Sequence, residues 1–422
     1  MDGRTQVDRR VGGRTRSLLT VSGGVGLLAG AALARELLRV YTEIGAPYRV
    51  LRSASAKSAA ATAGRFVNRE SSSSFEATGV RDAVRAMVFR GGQGRPGRTI
   101  PVRRPSAPER AGDLAATWLG HASVLLEVDG HRVLADPVLQ ERCSPSTWIG
   151  PARLHPAPVR AEALPQVDAV VISHDHYDHL ERTTVLTLTR EQSCPFLVPT
   201  GIAAHLRRWG VPDERIVELD WGGTAQVAGL TFTCSEVRHF SGRGLRRDGT
   251  QWAGWCVAGP RHRVFFGGDS GYTSAFADTG AVHGPFDLTV LPIGAYSELW
   301  PDVHMTPEET VRACLDLNPS AGTTLLPVHW ATFDLAPHRW AEPVERLFSA
   351  LDSSTAAVGT STVESSPGEG SICEGPTGVA KITVAVPSPG ERLDLGDSGA
   401  AHGRPGEDAS TMGRWWEPLG SP

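Results

Sequence analysis

The densest chemistry in the chain is one seven-residue run, Ser173-His174-Asp175-His176-Tyr177-Asp178-His179. Three imidazoles and two carboxylates in the last six positions are metal-ligand types, and alternate residues can reach two neighbouring positions, so one run can feed two metals. Composition alone would produce the pattern HxHxDH on the order of once in a thousand chains of this length. The run follows residues 167–173 (VDAVVIS), an apolar β-branched stretch that reads as a strand buried on both faces. A loop at the C-terminal end of such a strand is where layered α/β folds carry their sites.

Each metal needs more ligands than the run supplies. His239 lies in Val237-Arg238-His239-Phe240, Asp269 in Gly267-Gly268-Asp269-Ser270-Gly271, and His329 in Pro327-Val328-His329-Trp330, each just past a further predicted strand. One isolated histidine at a strand end is more often structural. Three ligand types at three strand ends, beside the run, form a set.

Those residues need a scaffold to position them. Residues 117–128 and 132–135 read as two strands joined by the hairpin signal Asp129-Gly130. Further strands are expected at 195–199, 215–219, 230–237, 252–258, 263–267, 287–292 and 323–328, with a last one at 380–386. Helical patterns fit 181–191, 201–209, 307–317 and 340–351. Strands with interspersed helices imply an α/β layered fold. The expected organisation is a basic, apolar N-terminal segment (1–40), a poorly ordered connector (41–110), an α/β domain that carries the ligand-type residues (111–351), a disordered insert (352–377) and a final strand with its tail (378–422). Trp415-Trp416 in that tail are apolar enough to pack back onto the domain.

The chain has 422 residues, 40% hydrophobic and 21% charged, which excludes a collagen, a coiled coil and a polytopic membrane protein. Its net charge of −4 is unevenly spread. Residues 1–110 hold 20 basic and 8 acidic residues, a balance of +12; the remainder holds 22 and 38, a balance of −16. An acidic body is a poor nucleic-acid binder, because phosphate-backbone affinity needs clustered cations. The basic first quarter points to an anionic surface, a membrane before a nucleic acid. Five arginines in residues 4–16 precede the uncharged run 17–34, whose 18 residues just reach across a bilayer core. Membrane association or export is therefore expected. A cytoplasmic leader is the alternative, since four glycines interrupt the run and Arg35 and Arg39 follow it. Six cysteines without a CxxC pair read as buried thiols.

The order HxHxDH, His, Asp, His resembles that of the metallo-β-lactamase superfamily of binuclear metal hydrolases. The resemblance implies an αββα sandwich with two divalent metal ions at one edge, zinc first, iron or manganese as alternatives. It implies that His174, His176 and His239 hold one metal, that Asp178, His179 and His329 hold the other, and that Asp269 bridges them. Wider motifs narrow the likeness: Trp118-Leu119-Gly120-His121-Ala122-Ser123, Leu134-Ala135-Asp136-Pro137, Arg238-His239-Phe240-Ser241-Gly242-Arg243, Gly268-Asp269-Ser270-Gly271-Tyr272, Pro292-Ile293-Gly294-Ala295-Tyr296 and Val303-His304-Met305. They resemble the N-acylphosphatidylethanolamine-hydrolysing phospholipase D group and its bacterial relatives over about 113–351 and again near 378–395.

The likeness implies hydrolysis of a lipid phosphodiester by a hydroxide held between the metals, without a Ser or Cys nucleophile. Asp178 and His304 are then the candidate catalytic residues. Arg243, in a glycine-flanked loop, is a candidate clamp for the substrate phosphate, and His304 a second substrate contact. Asp136 and His121 are candidates to orient the ligands. For Asp136 a simple turn-stabilising role before Pro137 is equally open. His131, His205, His262, His283 and His402 read as surface residues. Trp148, Trp252, Trp300 and Trp330 stand near predicted loops where they can line an acyl groove or pack in the core. The expected partners are a phospholipid or other ester substrate, a membrane surface and a second copy of the chain. A lactonase resembling the ascorbate-6-phosphate lactonases and a metal-stabilised lipid-binding protein without turnover are the competing readings.

Overall fold

Period-two alternation in the strands builds two sheets with one core between them. In β5 (His131–Ala135), Val133 and Ala135 join the main core, while Leu134 between them faces the other way. In β6 (Ala169–Val171) the same holds for Ala169 and Val171 against Val170. A sheet with both faces covered needs this double apolar character. The computed structural model describes residues 30–72, 77–244, 246–357, 372–374, 381–396 and 414–420.

The first sheet adds β3 (Leu114–Gly120), β4 (Ser123–Val128), β7 (Phe196–Pro199), β8 (Ile216–Leu219) and β17 (Arg392–Asp394) in the spatial order β17-β3-β4-β5-β6-β7-β8. The second contains β9 (Thr224–Val227), β10 (Leu230–Ser235), β11 (Gly254–Ala258), β12 (Arg263–Phe266), β13 (Leu288–Pro292), β14 (Thr323–Val328), β15 (Ile372–Glu374) and β16 (Lys381–Val384) in the order β15-β16-β14-β13-β12-β11-β10-β9. Each sheet is mixed: β5 to β8 are parallel and the rest of the first sheet antiparallel, while in the second a parallel centre, β12-β13-β14-β16, lies between antiparallel strands on both sides. Parallel neighbours need crossovers. Helices α4 (Arg182–Glu191) and α5 (Ile202–Trp209) cover the outer face of the first sheet, where Val185, Leu188, Ile202 and Leu206 meet Leu134 and Phe196. Helices α6 (Ala275–His283), α7 (Pro307–Leu317) and α8 (Glu342–Ala357) follow the strands of the second. The result is the expected αββα sandwich.

Local chemistry sets the helix ends. Thr306 and Glu309 form a reciprocal capping box at the start of α7, with Pro307 at its first position. Gly201 and Gly210, at φ +96° and +92°, bracket α5.

Three expectations change. Residues 117–128 are two strands, because Gly120 (φ +96°) and His121 (φ +54°) turn the chain tightly between β3 and β4. The hairpin at Asp129-Gly130, both at positive φ, then leads into β5. The stretch 41–110 is not a loose connector. Helix α2 (Tyr48–Ser55), the hairpin β1 (Ala61–Thr62) and β2 (Arg65–Phe66), and helix α3 (Ala77–Phe89) lie within or beside it, and Leu51, Phe66 and Ile100 are buried. In the insert, α8 continues to Ala357 and 372–374 pair with β16; residues 358–371 and 375–377 lie outside the described residues.

Among the described residues no helix is long and apolar enough to cross a membrane. This overturns the expected membrane-anchored or exported segment. Of the run 17–34, residues 17–29 lie outside the described residues, and 30–34 open a helix, α1 (30–43), that is tied to the domain. Its Glu36 carboxylate accepts from the Ser146 and Thr147 hydroxyls, and Trp209 Nε1 donates to Thr42 O.

If the region before β3 is part of the folded unit, Phe66→Ala will cost about 3–5 kcal/mol. Urea unfolding measures this; an unchanged midpoint would return the region to a tether.

Candidate metal centre

The ends of the parallel strands and of β10 meet at one edge of the sandwich. The run 174–179 leaves β6, Asp269 follows β12 after a Gly-Gly step, and His329 follows β14. That glycine step is required: a Cβ on Gly268 would lie 2.4 Å from the Ser173 Cβ, and its φ is +57°. His329 itself has φ +63°, a strained value for a non-glycine residue, and its N–H donates to His121 O at 3.0 Å.

Two groups of donors result, arranged around one carboxylate. His174 Nε2 lies 2.7 Å from His176 Nδ1, and His239 Nε2 lies 3.4 Å from the same atom. On the other side, His329 Nε2 is 3.4 Å and His179 Nε2 3.7 Å from Asp178 Oδ2. Asp269 Oδ2 stands between them, 3.0 Å from His179, 3.1 Å from His329, 3.8 Å from His239 and 3.9 Å from His174. These groups, {His174, His176, His239}, {His121, Asp178, His179, His329} and two sharing Asp269, have the compactness a metal ion requires.

The electrostatics fit a cation. Burial alone would raise Asp269 and Asp178, yet the surrounding imidazoles hold both well below the usual carboxylate range. Burial would likewise lower His329, but Asp269 and Asp178 push it up to about 9. Burial pushes His174 and His239 down. Protons drawn onto His179 and His329 occupy the place of a positive ion, so metal binding here would release them. His179 Nε2, His329 Nε2 and Asp269 Oδ1 are buried without a hydrogen-bond partner, although polar atoms in a dry interior are normally paired.

The backs of the rings are tied. Asp136, buried at the end of β5, accepts from His179 Nδ1 at 2.7 Å and from Ser173 N at 2.7 Å. His239 Nδ1 donates to Val303 O at 2.9 Å. These bonds place the proton on Nδ1 and leave Nε2 facing the pocket. His121 Nε2 lies 2.9 Å from Asp178 Oδ2. His304 borders the pocket, with Nδ1 3.8 Å from Asp269 Oδ2 and its ring stacked 5.0 Å from His329.

Arg243 is not placed to clamp a phosphate. Its residue is 5% exposed; Nε donates to Glu43 O, Nη1 to Asp175 O and Leu180 O, and the guanidinium stacks 4.0 Å from the Tyr177 ring. It glues α1 to the back of the run. His205 is likewise buried, not a surface residue: Nε2 lies 3.3 Å from Asp175 Oδ2, and Nδ1 accepts from Ala46 N at 2.9 Å. Asp175 also accepts from Gly242 N at 2.7 Å. Against burial, which would raise it, the His205 hydrogen bond and charge hold its carboxyl low. His262 is buried too, bonded to Asp129 Oδ1 at 2.6 Å. His402 lies outside the described residues. Helical spacing held the signal for His205, since Ile202, His205, Leu206 and Trp209 share one stripe of α5. Of the four tryptophans, Trp252, Trp300 and Trp330 are buried; Trp148 is exposed.

A protein-family model described as a β-lactamase superfamily domain matches residues 131–330, from β5 through His329. An uncharacterized protein of Mycobacterium tuberculosis is 49% identical over 382 residues, covering 90% of this chain and 96% of its own. The N-acyl-phosphatidylethanolamine-hydrolyzing phospholipase D 1 of Caenorhabditis elegans is 34% identical over 288 residues, 64% of this chain and 80% of its own. The chain belongs to the metallo-β-lactamase superfamily, in its N-acylphosphatidylethanolamine phospholipase D-like group. A metal-dependent hydrolase of Methanosarcina mazei is 28% identical over 263 residues, 61% of this chain and 97% of its own. As a member of this superfamily the chain is a metal-dependent hydrolase whose His and Asp clusters can hold metal. The matched region starts after His121.

Arg243→Met should destabilise the protein by about 3–5 kcal/mol, because it leaves the buried Glu43 carboxylate, 3.7 Å from Nη2, without its partner charge. KM for a phosphodiester substrate should stay unchanged in the folded fraction. A raised KM without loss of stability would restore the phosphate-clamp role.

Proposed function

We propose that this metal-dependent hydrolase is a phosphodiesterase of phospholipase D type, cleaving N-acylphosphatidylethanolamine-like lipids to phosphatidate and an N-acylethanolamine. The observation that carries the reading is the pair of His/Asp clusters sharing Asp269, in a chain 34% identical to a phospholipase D of that substrate class. His174, His176 and His239 are assigned to one divalent cation and Asp178, His179 and His329 to a second, with Asp269 bridging. Nitrogen and carboxylate donors suit zinc, and equally iron or manganese. Two such cations, when bound, supply Lewis acidity to the phosphodiester and lower the pKa of water.

The chain's own residues do the positioning. Asp136 and Val303 O hold His179 and His239 with Nε2 forward. His121 steadies the Asp178 carboxylate, which we assign to take a proton from entering water. His304, at the open side of Asp269, is assigned to meet the phosphate or the leaving oxygen. A lipid substrate is supported by a small apolar cluster, separate from both large cores, in which Phe240 and Val303, the chain neighbours of His239 and His304, join Ala295, Trp300, Leu335 and Ala336.

Metal-loaded protein incubated with N-acylphosphatidylethanolamine in detergent should yield N-acylethanolamine and phosphatidate by mass spectrometry, and a chelated control should yield neither. Metal bound without turnover would sink the substrate and favour a lactone. Asp269→Asn should lower kcat by at least about a hundredfold, roughly 2.7 kcal/mol, and lower metal content with it. Retained lipid affinity in a variant that never turned over would instead mark a binding protein.

A further inference from the structure

The side chains considered so far face the pocket or tie the rings from behind. One further group holds a ligand residue by its backbone. Asn68 stands 171 positions before His239, yet its whole side-chain amide is spent around it. Oδ1 accepts from His239 N at 3.1 Å and from Trp252 Nε1 at 2.9 Å; Nδ2 donates to His239 O at 2.8 Å and to Ser72 Oγ at 2.8 Å. An amide that meets both the N–H and the C=O of one residue reproduces the exchange of a β-ladder pair. It does so just past β10, where His239 has left the sheet. The orientation of the amide is unambiguous, because a flipped group would set its NH2 against two N–H donors.

Neighbouring contacts hold Asn68 in register. Phe66 is buried and its N–H donates to Asp248 O at 2.9 Å; Arg65 pairs with Asp248 at 2.7 Å and Arg69 with Glu236 at 2.9 Å. On the opposite side, Arg238 bridges to Gly271, two residues past Asp269. The backbone at 238–239 is thus gripped from both flanks, with the Asn68 amide on both backbone polar groups of His239.

We propose that Asn68 is a positioning residue of the metal centre: its amide fixes the His239 backbone and so sets how firmly the His174–His176–His239 trio holds its ion. The inference rests on His239 being a metal ligand, independently of the substrate. In Asn68→Ala, His239 keeps its imidazole but loses its backbone register. Trp252 Nε1 keeps a second acceptor, Val237 O at 3.0 Å, so the core beneath is spared.

The test is zinc competition against a chromophoric chelator on stripped wild type, Asn68→Ala, Asn68→Asp and His239→Ala, with the melting temperature of each metal-free protein. Asn68→Ala should release the zinc equivalent that depends on His239 at least tenfold more readily, with the other equivalent and the metal-free melting temperature close to wild type. Asn68→Asp keeps the acceptor half of the amide and should fall between the two. It also serves as the test protein if the alanine variant does not fold. Unchanged zinc affinity in the Asn68 variants, with the equivalent lost in His239→Ala, would overturn the proposal and leave the site intact. Both equivalents weakening in step with a lower metal-free melting temperature would also overturn it, as a merely structural role. Wild-type zinc binding by His239→Ala would instead remove the metal assignment on which the inference stands.

Discussion

A charged carboxylate in a dry interior is the constraint around which this molecule is organised. Asp269 is 2% exposed, and a buried carboxylate without compensation would take up a proton. Five imidazoles stand within 4 Å of its Oδ2, those of His174, His179, His239, His304 and His329, and they keep it ionised. Those imidazoles cannot all be protonated at such spacing, because each imidazolium opposes the next. A positive ion at the centre satisfies both sides together: the carboxylates gain their counter-charge and the rings stay neutral with lone pairs forward. The unpaired Nε2 atoms of His179 and His329 are the visible residue of that arrangement.

Holding such a set against its own repulsion takes architecture. Parallel strands converge their C-terminal ends, and both sheets are parallel on the sides that supply the run, Asp269 and His329. Local irregularities then aim the donors. The Gly267-Gly268 step lets β12 approach Ser173, and the positive φ of His329 turns its ring back toward Asp269. Strain of this kind, on the order of 1–3 kcal/mol per residue, persists only where the surroundings over-determine it. The His329 N–H bond to His121 O is part of that over-determination, and it links the β3–β4 turn to the centre.

Much of this was legible in the residues. The ligand run, its buried strand and the later strand-end donors all stand where their patterns put them, because a strand with two covered faces and a cluster of ligands are strong local signals. The failures are equally physical. Arg243 looked like a free cation in a glycine-flanked loop, and His205 like a surface residue. Both are buried by α1 and by the 44–46 segment, whose docking no local pattern announces. Residues 117–128 looked continuous because an apolar run does not show a turn made by positive φ at Gly120 and His121. The early hairpin was missed because strands of two residues carry no usable period.

Described segments on both sides of residues 111–351 therefore support the site. Ala46 reaches Asp175 through His205, beside His174 and His176. Asn68 grips His239 directly. At the other end Trp415 and Trp416 pack on Trp330, at 5.5 and 6.1 Å between ring centres, next to His329. Side chains on loops are precise only when their supports are, and displacements near 1 Å are costly for ligand geometry. A unit cut at residues 111 and 351 would keep all seven residues we assign as ligands and lose these three supports. The ligand residues define where the metal centre lies, and the two flanking segments hold it to its geometry.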